Sequence, residues 1–295
     1  IHCIVQGFVD PGDVVLVDIE EGMPQGKSLD ILEAGPIYGY NARVTGTNTY
    51  DETAGSSICI VTAGRARRPG MTRADLLESN TKVVKSVVEN LIKRSPDTIL
   101  LIVTNPLDAI AYTAYKVSGF PKERVIGMAG VLDTSRFAAF VAIELGVSVE
   151  NVQATLIGGH SDPLPLARYT TVAGVSITEL ISKERIDALI KRTISGGAEI
   201  VNLLKTSSAY FAPSASITEM VMAMLKDKKK ILPSTVLCQG EYGLKDIFIG
   251  VPAKLGSKGV ESILELPLTE EERSLLDKSA QEVKAECAEV DRLIK

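Results

Sequence analysis

Ile99-Leu-Leu-Ile-Val-Thr-Asn-Pro-Leu-Asp108 decides the fold of this 295-residue chain. The apolar run over residues 99–103 is too short for an ordinary helix and shows no alternation, as expected of a strand buried on both faces. It stops in a hydroxyl, an amide and a proline, Thr104-Asn105-Pro106, which set a turn. Outward from this stretch the pattern repeats at residues 14–17, 58–62 and 125–127. Each run reaches a polar or glycine residue at its C-terminal end: Asp18, Gly64, Asn105 and Gly127. Between the runs at 58–62 and 99–103, Leu76, Leu77, Val83, Val84, Val87, Val88, Leu91 and Ile92 recur at helical spacing and end near Ser95-Pro96. This predicts a crossover helix, and strands alternating with helices predict an α/β fold with a doubly wound parallel sheet. Such sheets bind ligands at the carboxyl ends of their strands.

Beyond Leu132 the regular alternation fades. A helix is expected over residues 186–204, strands near 231–237 and 247–251, and a final helix. Thr269 and Glu272 form a capping box for that helix, and Leu275, Leu276, Val283, Cys287, Val290 and Leu293 its apolar stripe. The reading is an α+β second domain, with the division at 1–132 and 133–295 and a large shared interface.

A net charge of -5 leaves no basic excess to displace counterions, so nucleic-acid binding by bulk electrostatics is excluded. The run Lys226-Asp-Lys-Lys-Lys230 reads as solvated surface. Cys3, Cys59, Cys238 and Cys287 lack metal-ligand spacing and read as buried free thiols, with no metal. No apolar run has the length of a membrane span, and the first five residues are too short for a signal peptide. A reducing, cytoplasmic setting without membrane contact is expected.

Four constellations carry chemistry. Gly158-Gly-His-Ser-Asp162 places His160, one of two histidines, in a glycine turn; it is either a proton shuttle or turn chemistry. Asp18 at a strand end suits the hydroxyls of an adenosine ribose and repels a 2′-phosphate, favouring NAD over NADP, or else caps the next segment. Arg65, Arg67, Arg68 and Arg73 lie on a segment with proline, glycine and no period. They are either bidentate donors for a dicarboxylate on a closing loop or a solvated basic loop. Asp133 and Arg136 are three apart, either a surface ion pair or an orienting carboxylate for His160 beside a carboxylate-binding guanidinium.

Taken in order, Val-Leu-Val-Asp18, Ala-Gly64 with Arg-Arg-Pro-Gly-Met-Thr-Arg73, Val-Thr-Asn-Pro-Leu-Asp108, Leu-Asp133-x-x-Arg136 and Gly-Gly-His160-Ser-Asp162 resemble the lactate/malate dehydrogenase family. The resemblance runs from about Val14 to the C-terminus. It is nearest the bacterial, lactate-dehydrogenase-like malate branch, and implies a Rossmann-type NAD domain followed by a catalytic domain. It implies hydride transfer from C2 of malate to NAD, with His160 taking the hydroxyl proton and Asp133 as its partner. Arg136 would bind the C1 carboxylate, Arg73 would polarise the reacting carbonyl, and Arg67 would meet the second carboxylate. Lactate-specific relatives have glutamine at the Arg67 position, because an unpaired buried guanidinium is costly. Asn105 would touch substrate and cofactor, and Asp18, Asn80, Val103 and Thr104 the cofactor. A homodimer or homotetramer is also implied.

The chain departs from the family pattern twice. The family's glycine-rich phosphate turn, expected after Ile1-His-Cys-Ile-Val5, is absent, and Gln6-Gly-Phe8 follows directly. Residues are therefore expected to be missing between Val5 and Gln6; a whole-protein mass equal to that of these 295 residues would remove this expectation. The alternative is a non-catalytic or engineered relative that lost its cofactor site. The passage Pro163-Leu-Pro-Leu-Ala-Arg168 is about one residue short of the family's, implying an altered turn beside His160.

Overall fold

The computed structural model describes residues 13–65, 71–205 and 207–295. The Val5–Gln6 junction, His2, Cys3, Arg67 and Arg68 lie outside them. The described chain opens with β1 (Asp13–Val17), α1 (Met23–Tyr38) and β2 (Arg43–Thr47). β1 and β2 pair in parallel, Asp13 opposite Arg43 through Val17 opposite Thr47. Sequence periodicity does not mark α1, for a physical reason. Its buried positions are Pro24, Ser28 and Gly35, whereas Leu29, Leu32 and Ile37 are exposed.

The next units follow the expected alternation: β3 (Ile58–Val61), α2 (Arg73–Arg94), β4 (Ile99–Ile102), α3 (Leu107–Ser118) and β5 (Val125–Gly127). The three strands are parallel, with Ile58 beside Ile99 and Leu100 beside Val125. Strands β3 and β4 each end one residue earlier than the apolar runs. Val84 and Val88 of α2 and Ile110 and Ala114 of α3 pack with Leu100 and Ile102 in one cluster, all fully buried. Each such large aliphatic contributes about 1.5–3 kcal/mol.

α4 (Gly130–Leu145) then leads into five two-residue strands, β6 (Val152–Gln153), β7 (Leu156–Ile157), β8 (Leu164–Pro165), β9 (Thr171–Val172) and β10 (Val175–Ser176). The short passage after Asp162 is accommodated as a hairpin return, with β8 antiparallel to β7. Helices α5 (Lys183–Leu204) and α6 (Phe211–Leu225) follow, then β11 (Lys230–Gln239), β12 (Lys245–Gly256), β13 (Gly259–Ile263) and α7 (Glu270–Leu293).

The long strands of the second half do not build a sheet of their own. They extend the first, in the order β13-β12-β11-β5-β4-β3, with Thr235 opposite Gly127 at the antiparallel seam. β11 and β12 are longer than their apolar centres because they continue as a ribbon past the sheet, Lys230 opposite Leu255. Lys229 and Lys230 in the basic run are paired with Glu261 and Glu219 rather than only solvated. α7 has the expected capping box between Thr269 and Glu272, a feature worth about 1 kcal/mol. Leu275 is exposed, correcting its place in the apolar stripe; Leu276, Val283, Cys287 and Val290 carry the buried face. Cys59, Cys238 and Cys287 are free and buried. Among the described residues, no helix is long and apolar enough to cross a membrane.

Candidate active site

His160 follows β7 on a turn fixed by three backbone contacts from separate elements. Gly158 has φ +95°, a conformation that a side chain strains, and exchanges hydrogen bonds with Gly250 of β12 at 2.9 and 3.1 Å. The Gly159 N–H donates to the Ser279 hydroxyl of α7 at 2.9 Å. The His160 N–H donates to Asp108 Oδ2 of α3 at 2.9 Å, and Asp162 N–H closes the turn onto the Gly159 carbonyl.

So held, the ring meets Asp133 of α4, with Nδ1 2.8 Å from Oδ2. An ionised carboxylate only accepts, so Nδ1 carries the proton and Nε2 of the neutral ring is the basic nitrogen. Asp133 is 2 % exposed and His160 21 %, which leaves the ring reachable. Burial disfavours the imidazolium, but the Asp133 charge and hydrogen bond, aided by Asp108, outweigh it and push His160 above its ordinary range. Arg136 opposes that rise.

Arg136 lies one turn along α4, its Nη1 3.0 Å from Asp133 Oδ1, and its side chain is 14 % exposed. Its Nε is a buried donor with no hydrogen-bond partner among the described residues. Such a group costs free energy unless a ligand satisfies it. The guanidinium lies against Gly196 and Gly197 of α5; a Cβ at Gly196 would stand 3.1 Å from Arg136 Cδ.

Arg73 is not on a loop but is the first residue of α2, because Thr72 and Asp75 form a capping box that starts the helix there. Its guanidinium donates to Ser161 Oγ at 2.8 Å, next to His160, and pairs with Glu286 of α7 at 2.5 Å. Asn80, on the same helix, is buried with both side-chain atoms engaged. Oδ1 accepts from the Arg65 N–H, and Nδ2 donates to the Arg65 and Asn105 carbonyls. Thr104 is buried, with its hydroxyl on the Ala63 carbonyl at 2.7 Å, and Val103 continues the ladder onto Val61. These bonds tie together the ends of β3 and β4, with Asn105 exposed at the tip.

At the carboxyl end of β1, Asp18 is exposed. Its Oδ1 accepts from the Glu20 N–H at 3.0 Å, and Asn48 donates to its carbonyl at 2.8 Å. An exposed carboxylate at a strand end has the chemistry to accept from a ribose diol, so this edge fits the ribose of a dinucleotide.

A family model for the lactate/malate dehydrogenase NAD binding domain matches residues 2–127, and one for the lactate/malate dehydrogenase alpha/beta C-terminal domain matches residues 130–293. The chain belongs to the lactate/malate dehydrogenase family. A relative named malate dehydrogenase from Roseiflexus sp. (strain RS-1) is 56 % identical over 278 residues, 94 % of this chain and 90 % of the relative. Malate dehydrogenase from Salinibacter ruber superposes with a TM-score of 0.94 at 49 % identity, covering 99 % of this chain and 93 % of that one. Lactate dehydrogenase from Cryptosporidium parvum, complexed with lactic acid and NAD, gives a TM-score of 0.94 at 41 % identity, covering 98 % and 93 %. For a lactate/malate dehydrogenase-family chain, fold alone therefore does not separate the two substrates.

Of the residues expected from the sequence, the structure brings together His160, Asp133 and Arg136 and places Arg73 beside them through Ser161. Arg67 lies outside the described residues. Sequence reading misses Asp108, Ser279, Glu286 and Gly196. Asp108 stands in the quoted strand-end motif, the one available signal. The others come from distant helices whose approach no local pattern encodes.

Proposed function

We propose that His160 is the proton acceptor of an NAD-dependent malate dehydrogenase that interconverts (S)-malate and oxaloacetate. One observation carries this reading: the buried carboxylate of Asp133 holds both His160 Nδ1, at 2.8 Å, and Arg136 Nη1, at 3.0 Å. A base and a carboxylate-binding cation are thereby set side by side, as oxidation of a 2-hydroxy acid needs. Nε2 takes the C2 hydroxyl proton, and Asp133 stabilises the imidazolium that results. Arg136, through its unpartnered Nε, binds the C1 carboxylate. Arg73 polarises the reacting carbonyl, Asn105 orients it, and Arg67 pairs the second carboxylate. NAD, when bound, supplies the hydride acceptor. Asp18 holds the ribose, and Val103, Thr104, Asn105 and Asn80 form the cofactor side, Asn80 by bracing the two strand ends.

We assign residues 1–132 to a cofactor-binding domain and 133–295 to a catalytic domain, with Arg67, Arg73 and Asn105 contributed to the substrate site by the first. The free buried cysteines support a reducing cytoplasm. Exposed Leu29, Leu32 and Ile37 on α1 support a homo-oligomer, dimer or tetramer. Arg67→Gln tests the substrate assignment. The ratio of oxaloacetate to pyruvate reduction, followed by nicotinamide absorbance, should fall by roughly a hundredfold or more, because the second carboxylate loses its partner. An unchanged ratio would leave lactate-type specificity as the better reading.

A further inference from the structure

Asp108 is a buried carboxylate to which the scheme above gives no task. It stands in the first turn of α3, 3 % exposed. Oδ2 accepts from the His160 N–H and Oδ1 from the Thr235 hydroxyl of β11, both at 2.9 Å. A bridge between an N–H and a hydroxyl can be made by a neutral amide, without the cost of burying a charge. What a carboxylate adds is charge, and here it is delivered next to the imidazole. The charged or titratable groups around this spot are Asp133 and Arg136 on α4, Asp108 on α3, Arg73 on α2, and Glu286 and Cys287 on α7. Asp162 stands on the turn of His160 itself.

We infer that Asp108 is a positioning residue for proton transfer: it pins the main chain of His160 and, with Asp133, makes a second negative charge available to the imidazolium. This rests on His160 being the proton acceptor. Two roles meet in one side chain. The backbone clamp sets where the ring stands, and the charge sets how firmly the ring keeps its proton. Burial, with the Asp133 charge, holds the Asp108 carboxyl above its ordinary value; the His160 N–H, the imidazolium and the Thr235 hydroxyl act against that rise, so the carboxylate is stabilised most when His160 is protonated. At His160, Asp108 acts in the same direction as Asp133 and against Arg136. Loss of the Asp108 charge therefore destabilises the imidazolium.

The test is Asp108→Asn, which keeps shape and one acceptor oxygen. With two histidines in the chain, the His160 ring resonance can be followed by NMR titration and assigned by His2→Ala. The expected result is a His160 midpoint at lower pH. The acid limb of malate oxidation and the alkaline limb of oxaloacetate reduction should move down with it. Reduction above neutrality falls about tenfold while the KM for NADH holds. A midpoint left in place, with both directions slowed equally at every pH, means a merely structural role and overturns the inference, as does an unchanged enzyme. Should Asp108→Asn not fold, Thr235→Val decides. Removing the hydroxyl weakens the ionised carboxylate and lowers the midpoint by a smaller step, Thr235→Ser restores it, and a wild-type midpoint in Thr235→Val overturns the inference. Failure of the proton-acceptor reading is distinguishable, since it is seen as retained turnover when His160 itself is replaced.

Discussion

The two ends of the site are built in opposite ways. Around His160 the contacts that fix the ring and its main chain are short and drawn from four elements: Asp133 from α4, Asp108 from α3, Ser279 from α7 and Gly250 from β12. Around Asp18 the contacts are exposed and few: the Glu20 N–H two residues on and the Asn48 amide just beyond the neighbouring strand β2. Proton transfer depends on sub-ångström placement and on a low-dielectric surrounding, so a cage from many elements is required. Recognition of a ribose needs only a carboxylate at the right edge, with the ligand completing the contacts. Substitutions in the cage should therefore damage rate, and those at the edge should damage affinity.

His160→Asn gives the largest expected effect. Turnover in both directions should fall by about 10²–10⁴, the usual contribution of a placed acid–base group, with NADH binding retained in an equilibrium titration. Turnover within tenfold of wild type would break the contrast at its strongest point. Asp18→Ser comes next. Stopped-flow or steady-state kinetics should show the KM for NAD raised roughly tenfold with kcat nearly unchanged, and discrimination against NADP narrowed. A fall in kcat with KM intact would mean that the edge also positions the reaction.

The smallest effect is thermodynamic. The His160 pKa is raised in the folded state above the ordinary 6.5. Its stabilisation is therefore fully present below that ordinary value and is lost as pH rises through the higher folded value. The melting-temperature gap between wild type and His160→Asn should be widest on the acid side and narrow by about 2–4 °C for each kcal/mol lost above it. A gap that widens with rising pH would reverse the sign assigned to the Asp133 pair.

The same contrast decides how much could be read from the chain itself. Asp18, Asn105 and Gly127 were legible because each ends an apolar run, and strand ends are where a parallel sheet places ligands. His160 with Asp133 and Arg136 was legible as residue types and as a motif order, not as a geometry: 27 positions separate the two members of the 2.8 Å contact. The extension of the sheet across Thr235 and Gly127 was not legible, since periodicity identifies strands but not their neighbours. Helix α1 is not legible because its fully buried positions are Pro24, Ser28 and Gly35, and only Ile31 and Ala34 add apolar side chains to the face that packs on Tyr40, Ala42 and Val44. Arg73 reads as part of a loop because the arginine-rich segment before it hides the Thr72–Asp75 cap that begins its helix.

Asp133 is shared between a titrating ring and a guanidinium, and sharing makes the two sites thermodynamically linked. Arg136 opposes protonation of His160. On the role proposed for Arg136, a substrate carboxylate that neutralises it removes this opposition, so anion and proton would bind the protein synergistically. By reciprocity the protonated protein binds the carboxylate more tightly than the neutral one by the same factor. The keto acid thus summons the proton that its own reduction will consume.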